Sequence, residues 1–284
     1  MNIIEAKEIS FSYEGEETAL DNVTMRFKKG RTTAVLGGNG SGKSTLFLNL
    51  NGVLKPVSGK VIFNGKEISH NKKDILELRR NIGIVFQDPD DQLFSANVKK
   101  DISFGLVNQG LSAEEVDNRI DFVIRKTGIT DIINKPTHAL SFGQKKRVAI
   151  AGVLAMQPSV IILDEPTAGL DPSGVSEILN LLSDIKRSMG ITIIMSTHEI
   201  DLVPLYCDDV YVLDNGKVVF EGTARELIAN SVVLRKHNLR LPRIAHLMEI
   251  LHDKDKLDVD ASAATIAEAR SSINELFRAG ESNE

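Results

Sequence analysis

The residues best suited to chemistry lie in one glycine-rich run, Gly37-Gly38-Asn39-Gly40-Ser41-Gly42-Lys43-Ser44-Thr45. From Gly37 to Ser44 it fits G-x-x-x-x-G-K-[ST], a pattern whose backbone N–H groups curl around phosphate oxygens. Thr32-Thr33-Ala34-Val35-Leu36 before it reads as a short buried strand. Thr45-Leu46-Phe47-Leu48-Asn49-Leu50 after it reads as the first turns of a helix, whose N-terminus adds positive partial charge at the same spot. Lys43 would reach the β- and γ-phosphates of a bound nucleotide, and the Ser44 hydroxyl would sit on Mg²⁺. A glycine-rich turn ahead of a helix is the plainer reading, and Lys-Ser-Thr between a strand and a helix argues against it.

A second group of candidates ends an apolar strand. Val160-Ile161-Ile162-Leu163 runs into Asp164-Glu165-Pro166-Thr167. Asp164 at the strand end suits Mg²⁺, which takes one or two carboxylates besides phosphates. Glu165, one residue further, suits orienting or deprotonating a water aimed at the γ-phosphate. Strand ends are often acidic for solubility alone, so it is the phosphate loop upstream that gives the pair its meaning. Gln87 follows the buried run Ile82-Gly83-Ile84-Val85-Phe86, and His198 follows the run that ends at Ser196-Thr197. Taken singly, a Gln or a His at a strand end is usually structural or solvated.

These residues need a scaffold that places strand ends side by side. Residues 2–11 and 20–27 alternate as half-buried strands, and Lys60-Val61-Ile62-Phe63 reads as an edge strand before an Asn64-Gly65 hairpin turn. From Val98 to about Gly128 the period turns helical, with Val116, Ile120, Val123 and Ile124 on one face. A helix is expected from Gln144 to about Met156 and another from Val175 to Met189, closed by Gly190. Asp214-Asn215-Gly216-Lys217 marks a second hairpin. Strands alternating with helices predict an α/β core with a mainly parallel sheet covered on both faces, an antiparallel β subdomain and a helical insertion. In such sheets ligands sit beyond the carboxyl ends of the strands, and Gly37, Gln87, Asp164 and His198 all lie just past such ends. The tail carries two further amphipathic stripes: Leu241, Ile244, Leu247, Met248 and Leu251, then Ile266, Ile273, Leu276 and Phe277. They fit either helices packed on the core or a self-association or regulatory surface, because amphipathicity does not separate an internal partner from an external one.

With 284 residues, 42% of them hydrophobic, the chain can bury a large core. A net charge of −5 argues against a broad nucleic-acid surface, so no nucleic-acid partner is expected. The single Cys207 excludes an intrachain disulfide framework, suggests a reducing compartment and reads as plain packing. No signal peptide is visible in the first residues, which carry Glu5 and Glu8. The longest apolar stretches fall far short of the about 20 residues that span a bilayer. The expectation is a chain soluble by itself that can dock on a membrane protein.

The motif set resembles that of the ATP-binding cassette (ABC) ATPases over residues 1–230, leaving residues 231–284 as a small C-terminal helical extension and about 88–156 as the helical insertion. The matching motifs are the phosphate loop, Gln87, Leu140-Ser141-Phe142-Gly143-Gln144, Asp164-Glu165, Ala168-Gly169-Leu170-Asp171 and His198, in the family's order. The resemblance implies that Tyr13 stacks on adenine, that Gln87 approaches Mg²⁺ and the attacking water and senses a membrane partner, and that His198 hydrogen-bonds the γ-phosphate. Ser141, Gly143 and Gln144 would bind the γ-phosphate of ATP held by a second copy, and Asp171 would reach across to shape the partner's site. A head-to-tail dimer closing on ATP follows, homo- or heteromeric. Two positions depart from the pattern: Phe142 stands where Gly is usual in the signature, and Gly38 where Pro is common.

Phe86-Gln87-Asp88-Pro89-Asp90-Asp91-Gln92-Leu93-Phe94, with Asp101-Ile102-Ser103-Phe104-Gly105 and Leu239-Arg240-Leu241-Pro242, is similar to the energy-coupling factor (ECF) ATPases of micronutrient importers, among them the cobalt-import CbiO type. That likeness implies an ATPase pair at the cytoplasmic face of the cell membrane. It would grip an integral-membrane coupling subunit beside a substrate-binding membrane subunit, with cobalt, nickel or a vitamin as solute. DNA-repair cassettes separate their motif halves further than Lys43 and Ser141 are separated here, and translation-factor cassettes carry two per chain. The remaining alternatives are the ATPase of another importer or exporter, and a nucleotide-binding regulatory module that does not hydrolyse.

Overall fold

The strands form two sheets, one four-stranded and antiparallel, the other six-stranded and mainly parallel. The computed structural model describes residues 1–15 and 17–281. β1 (Asn2–Ser12) and β2 (Thr18–Lys28) mix buried with exposed positions along their length. With β4 (Ser58–Phe63) and β5 (Lys66–Glu67) they form an antiparallel sheet in the order β2-β1-β4-β5. The segment read as an edge strand is therefore interior: β4 pairs with β1 through Ile4↔Phe63 and Ala6↔Val61, and with β5 through Ile62↔Glu67. Its outer neighbour is only two residues long, too short to leave a periodic trace.

The second sheet is built from β3 (Thr32–Leu36), β6 (Ile82–Val85), β7 (Val160–Leu163), β8 (Thr192–Ser196), β9 (Asp209–Asp214) and β10 (Lys217–Gly222). Its order is β10-β9-β3-β8-β7-β6. All pairs are parallel except the β9–β10 hairpin at one edge. β3, β7 and β8 are buried at every residue, the mark of a sheet covered on both faces. Side chains alternate between two cores. Val160, Ile162 and Ile194 pack with Ile4, Phe27, Leu46 and Phe47, so that α1 (Lys43–Leu50) and the antiparallel sheet cover one face. Ile161, Leu163, Ile193 and Met195 pack with helical residues on the other face. Each such fully buried side chain contributes about 1.5–3 kcal/mol.

α2 (Lys72–Asn81) precedes β6 and left no trace in the apolar pattern, because Leu78 is buried and Ile75 half-buried in a helix otherwise full of charge. The insertion comprises α3 (Val98–Asn108), α4 (Ala113–Thr127) and α5 (Phe142–Ala155). Ser112 and Glu115 cap each other at the start of α4, and Gly128 in the left-handed conformation ends it. α5 begins two residues before the expected Gln144, because Ser141 caps it and draws Phe142 and Gly143 into its first turn. α6 (Pro172–Met189) begins three residues before Val175 for a similar reason: Asp171 caps it and Pro172 takes the first position.

Downstream, α7 (Val203–Tyr206), α8 (Ala224–Ala229) and α9 (Ser231–Lys236) enclose a third core, in which Leu227 and Leu234 meet Ala34, Leu36, Val210 and Val212 of the sheet. α10 (Arg243–Asp253) and α11 (Ile266–Glu281) carry the two tail stripes. Ile244, Met248, Leu251, Ile273 and Leu276 pack together around Val259 and Ala263 of the linker. Leu247, Ile266 and Phe277 stay exposed, since each helix buries only one side.

Cys207 packs between the insertion core and the third core. Burial pushes its thiol up to about 12. The thiolate is the nucleophile, so iodoacetamide at about pH 8 should leave Cys207 unmodified in the native protein and alkylate it rapidly in guanidinium, by mass spectrometry. Rapid labelling of the native chain would contradict this packing.

Candidate nucleotide site

The turn from β3 into α1 is tight behind and open in front. Gly42 sits at φ 102, and a Cβ there would lie 2.5 Å from the Ala19 carbonyl oxygen. A Cβ on Gly37 would lie 2.2 Å from the Leu213 carbonyl oxygen. Gly38 and Gly40 instead have nothing within 4 Å. The loop is fastened from behind, where the Gly216 N–H of the β9–β10 turn donates to the Ser41 carbonyl at 3.0 Å. Lys43 Nζ folds back on the loop and donates to the carbonyls of Gly37 and Gly38, both at 2.9 Å. Burial lowers its pKa, while Glu165 and Asp164 pull the other way. Ser41 Oγ is buried without a hydrogen-bond partner among the described residues. The cleft in front measures about 730 Å³ and is lined by Tyr13, Asn39 to Thr45, Gln87, Asp164, Glu165 and Asn215 among others.

The chain segments at or after the ends of β3, β7 and β8 converge on one carboxylate. Asp164 follows β7 and accepts from Ser44 Oγ at 2.5 Å and from Ser196 Oγ, at the end of β8, at 2.5 Å. Glu165 has φ 44, a left-handed conformation that is costly for a residue with a Cβ. Its N–H donates to Ser196 Oγ at 2.8 Å, and its carboxylate lies 2.9 Å from His198 Nδ1. Its carbonyl accepts from Lys146 Nζ at 3.2 Å, and the same ammonium donates to the Gln87 carbonyl at 2.6 Å. Lys146 is 0% exposed, and burial pushes its ammonium down to about 8, with Asp88, Asp164 and Glu165 opposing.

The remaining predicted residues divide. Tyr13 is at the rim of the cleft, 39% exposed, with its hydroxyl 3.2 Å from Thr45 Oγ1 and its ring edge-on to Phe11. Ser141, Gly143, Gln144 and Asp171 lie elsewhere, in a separate hollow beside Gly169 and Leu170. Ser141 and Gln144 cap each other, with the Gln144 N–H donating to Ser141 Oγ and Gln144 Oε1 accepting from the Ser141 N–H. Asp171 Oδ1 accepts from the Gly174 N–H at 2.9 Å. The Phe142 ring packs on its own chain, where a Cβ on Gly169 would come within 2.9 Å of it. One chain thus assembles the phosphate loop, Gln87, Asp164, Glu165 and His198, and holds the signature residues apart from them.

The ABC transporter family model matches residues 20–168. Over 272 residues the chain is 56% identical to the energy-coupling factor transporter ATP-binding protein EcfA2 of Clostridium perfringens, covering 96% of this chain and 95% of that protein. The chain belongs to the ABC transporter ATPases, in their energy-coupling factor branch. Among solved structures this ATPase is similar to cbiO1 from Clostridium perfringens, part of the ABC transporter complex cbiONQ, with 57% identity, a TM-score of 0.76 and coverage of 88% of this chain and 99% of that one. It is also similar to the cassette MJ0796, solved as a dimer in a post-hydrolysis state bound to ADP and Pi, with 28% identity, a TM-score of 0.70 and coverage of 78% and 98%.

The donors in the ATPase cleft fit a hard divalent cation: a hydroxyl from Ser44 and a carboxylate from Asp164 meet at 2.5 Å, with Gln87 on the same wall. Sequence reading passes over Ser196, Lys146 and Asn215. Ser196 ends an apolar strand two residues before His198, and nothing local gives its hydroxyl a role. Lys146 left one faint sign: it falls four residues before Ile150 and seven before Val153, on the buried side of α5. Asn215 reaches the cleft only because the β9–β10 turn abuts the phosphate loop.

Gly42→Ala adds a side chain at left-handed φ and against a main-chain oxygen. It should lower unfolding free energy by about 1–3 kcal/mol and abolish nucleotide binding in a fluorescent-nucleotide titration. Gly40→Ala, at φ 76 but in open space, should show the smaller stability loss. Equal losses at both positions would contradict the tight packing behind the loop.

Proposed function

We propose that this ATPase drives a micronutrient importer by binding and hydrolysing ATP in a head-to-tail dimer, with cobalt ion as the solute. The observation that carries the reading is the separation within one chain: the phosphate loop, Asp164 and Glu165 share one cleft, while Ser141, Gly143 and Gln144 line another hollow. A nucleotide held in the first needs the signature of a second ATPase subunit to enclose it. The dimeric state of MJ0796 with ADP and Pi supports this reading, and the cbiONQ complex of cbiO1 supports cobalt.

The residues then act as follows. Lys43 leaves the Gly37 and Gly38 carbonyls for the β- and γ-phosphates, exchanging two neutral acceptors for charged ones. Backbone N–H groups from Gly38 to Thr45 hold phosphate oxygens, aided by the N-terminus of α1. Tyr13 offers its ring to adenine. Ser44, Asp164 and Gln87 would hold Mg²⁺, which would neutralise charge on the phosphates when bound. Glu165 takes a proton from the attacking water, and its fixed backbone aims the carboxylate. His198, paired with Glu165 here at 2.9 Å, turns to the γ-phosphate. Ser141, Gly143, Gln144 and Asp171 serve the partner's site.

The membrane partner is assigned to the groove beside Gln87 and to the insertion. Phe94 (66% exposed) and Phe104 (50% exposed) stack edge-to-face there, with Val107 also open to solvent, an apolar patch suited to helices of a coupling subunit. A separate membrane subunit would choose the solute. No helix among the described residues is long and apolar enough to cross a membrane, so the ATPase is read as peripheral, at the cytoplasmic face. Residues 1–230 are read as the ATPase domain and 231–284 as its helical C-terminal extension, of which 282–284 lie outside the described residues.

Co-expression with an energy-coupling factor membrane coupling subunit and a substrate-binding membrane subunit, followed by Mg-dependent ATPase assay of the purified complex, tests this. Glu165→Gln should lower turnover by roughly 100-fold or more while retaining ATP, and should be trapped as a dimer by saturating Mg-ATP. Hydrolysis without capture of a membrane partner would leave an ATPase but remove the importer. A strictly monomeric Glu165→Gln would remove the dimer, and stimulation by nickel or a vitamin rather than cobalt would reassign the solute.

A further inference from the structure

We propose that Lys146 is a positioning residue for hydrolysis: its ammonium pins the main chain of Glu165 and of Gln87 to the first turns of the signature helix α5. The inference rests on the reading of Glu165 as the residue that activates water, and it goes beyond that reading by naming what aims it. A fully buried cation is costly unless its charge is put to use, and among the described residues no ion pair reaches Lys146. Its acceptors are two main-chain oxygens, Gln87 O at 2.6 Å and Glu165 O at 3.2 Å. They belong to two segments far apart in sequence, one after β6 and one after β7.

The Glu165 peptide explains why such a pin is needed. At φ 44 this residue occupies a conformation that persists only where its surroundings over-determine it. The structure holds it from both sides: the N–H by Ser196 Oγ at 2.8 Å and the carbonyl by Lys146 Nζ. Release of either hold lets the backbone relax toward ordinary φ and swings the carboxylate off the water. Phe142 completes the seat. Its ring centroid lies 5.7 Å from Lys146 Nζ, within the range of a cation–π contact, so the unusual aromatic residue of the signature braces the ammonium.

One nitrogen therefore joins the signature helix, the main chain of Gln87 and the main chain of the residue whose carboxylate activates water. When a second copy's nucleotide settles against Ser141 and Gly143, any shift of the first turns of α5 reaches Gln87 and Glu165 through Lys146. The plainer reading is a buried lysine that only satisfies two carbonyls for folding, and the two readings differ in what they do to nucleotide binding, since Lys146 does not line the nucleotide cleft.

The test compares wild type, Glu165→Gln, Lys146→Met and Lys146→Gln as full-length chains, measuring kcat, KM, dissociation constant for a fluorescent ATP analogue and Mg-ATP-driven dimerisation by light scattering. Lys146→Met keeps the aliphatic stem and deletes the donor. It should lose roughly 10- to 100-fold in kcat, the scale of a small misplacement of a reacting group, with KM and nucleotide affinity unchanged and Mg-ATP-driven dimerisation retained. Lys146→Gln, which retains a donor, should fall between it and wild type. A wild-type kcat in Lys146→Met overturns the inference, and so does a parallel fall of kcat and nucleotide affinity in both variants, which assigns Lys146 to folding alone. A wild type that turns over ATP while Glu165→Gln does so equally well defeats the role of Glu165 and this inference with it, whereas loss in Glu165→Gln beside normal Lys146 variants defeats the inference only.

Discussion

Asp164 receives hydrogen bonds from two serine hydroxyls, Ser44 and Ser196, each at 2.5 Å, and the rest of the site is arranged around that shared carboxylate. Ser44 belongs to the phosphate loop after β3, Asp164 follows β7, and Ser196 ends β8, which lies between them in the sheet. The parallel order β3-β8-β7 brings three chain segments to one end of the sheet. The hydroxyl of Ser196 then serves twice, donating to Asp164 and accepting from the Glu165 N–H. A hydrogen-bond network of this kind, buried under the sheet end, fixes positions more rigidly than its separate bonds would. Because the carboxylate already binds a hydroxyl of the phosphate loop, that loop and the main chain of Glu165 are held in a common frame.

The same frame holds the signature residues apart from the phosphate loop. α5 is long and packs its apolar side into the insertion core, so the signature at its N-terminus is held at a fixed offset from the phosphate loop of its own chain. Ser141 and Gln144 spend their side chains on capping that helix. What they leave for a ligand is the N-terminal end of α5 itself, with backbone N–H groups and partial positive charge, which suits a phosphate arriving from outside. Phe142 does not obstruct this arrangement, since its ring is turned onto Gly169 of its own chain.

The C-terminal segment is coupled to the site through the β9–β10 turn. Nδ1 of His237, the residue after α9, lies 2.8 Å from the Asp214 carboxylate, and the turn that follows Asp214 fastens Ser41 through the Gly216 N–H. Leu234 and Leu241 pack into the core that also holds Leu36, the residue before the phosphate loop. The α10–α11 pair has its own small core beyond this contact.

Much of this was legible in the amino-acid sequence because it is local. The phosphate loop, the apolar runs of β3, β7 and β8, the Asn64-Gly65 and Asn215-Gly216 turns and the stripe of α4 are each written in consecutive residues, where backbone conformation and side-chain period are set. The placement of Gln87, Asp164 and His198 beyond strand ends follows from the parallel sheet. The tertiary structure alone decided the rest. α2 buries too few apolar residues to leave a stripe, and β5 is too short to leave an alternation. Ser196, Lys146 and the inward turn of Phe142 depend on partners between 19 and 59 residues away for the buried lysine and 31 or 32 for the serine. No local propensity encodes such contacts, because a hydroxyl or an ammonium acquires its role only when packing removes water and leaves a main-chain or carboxylate oxygen as its neighbour.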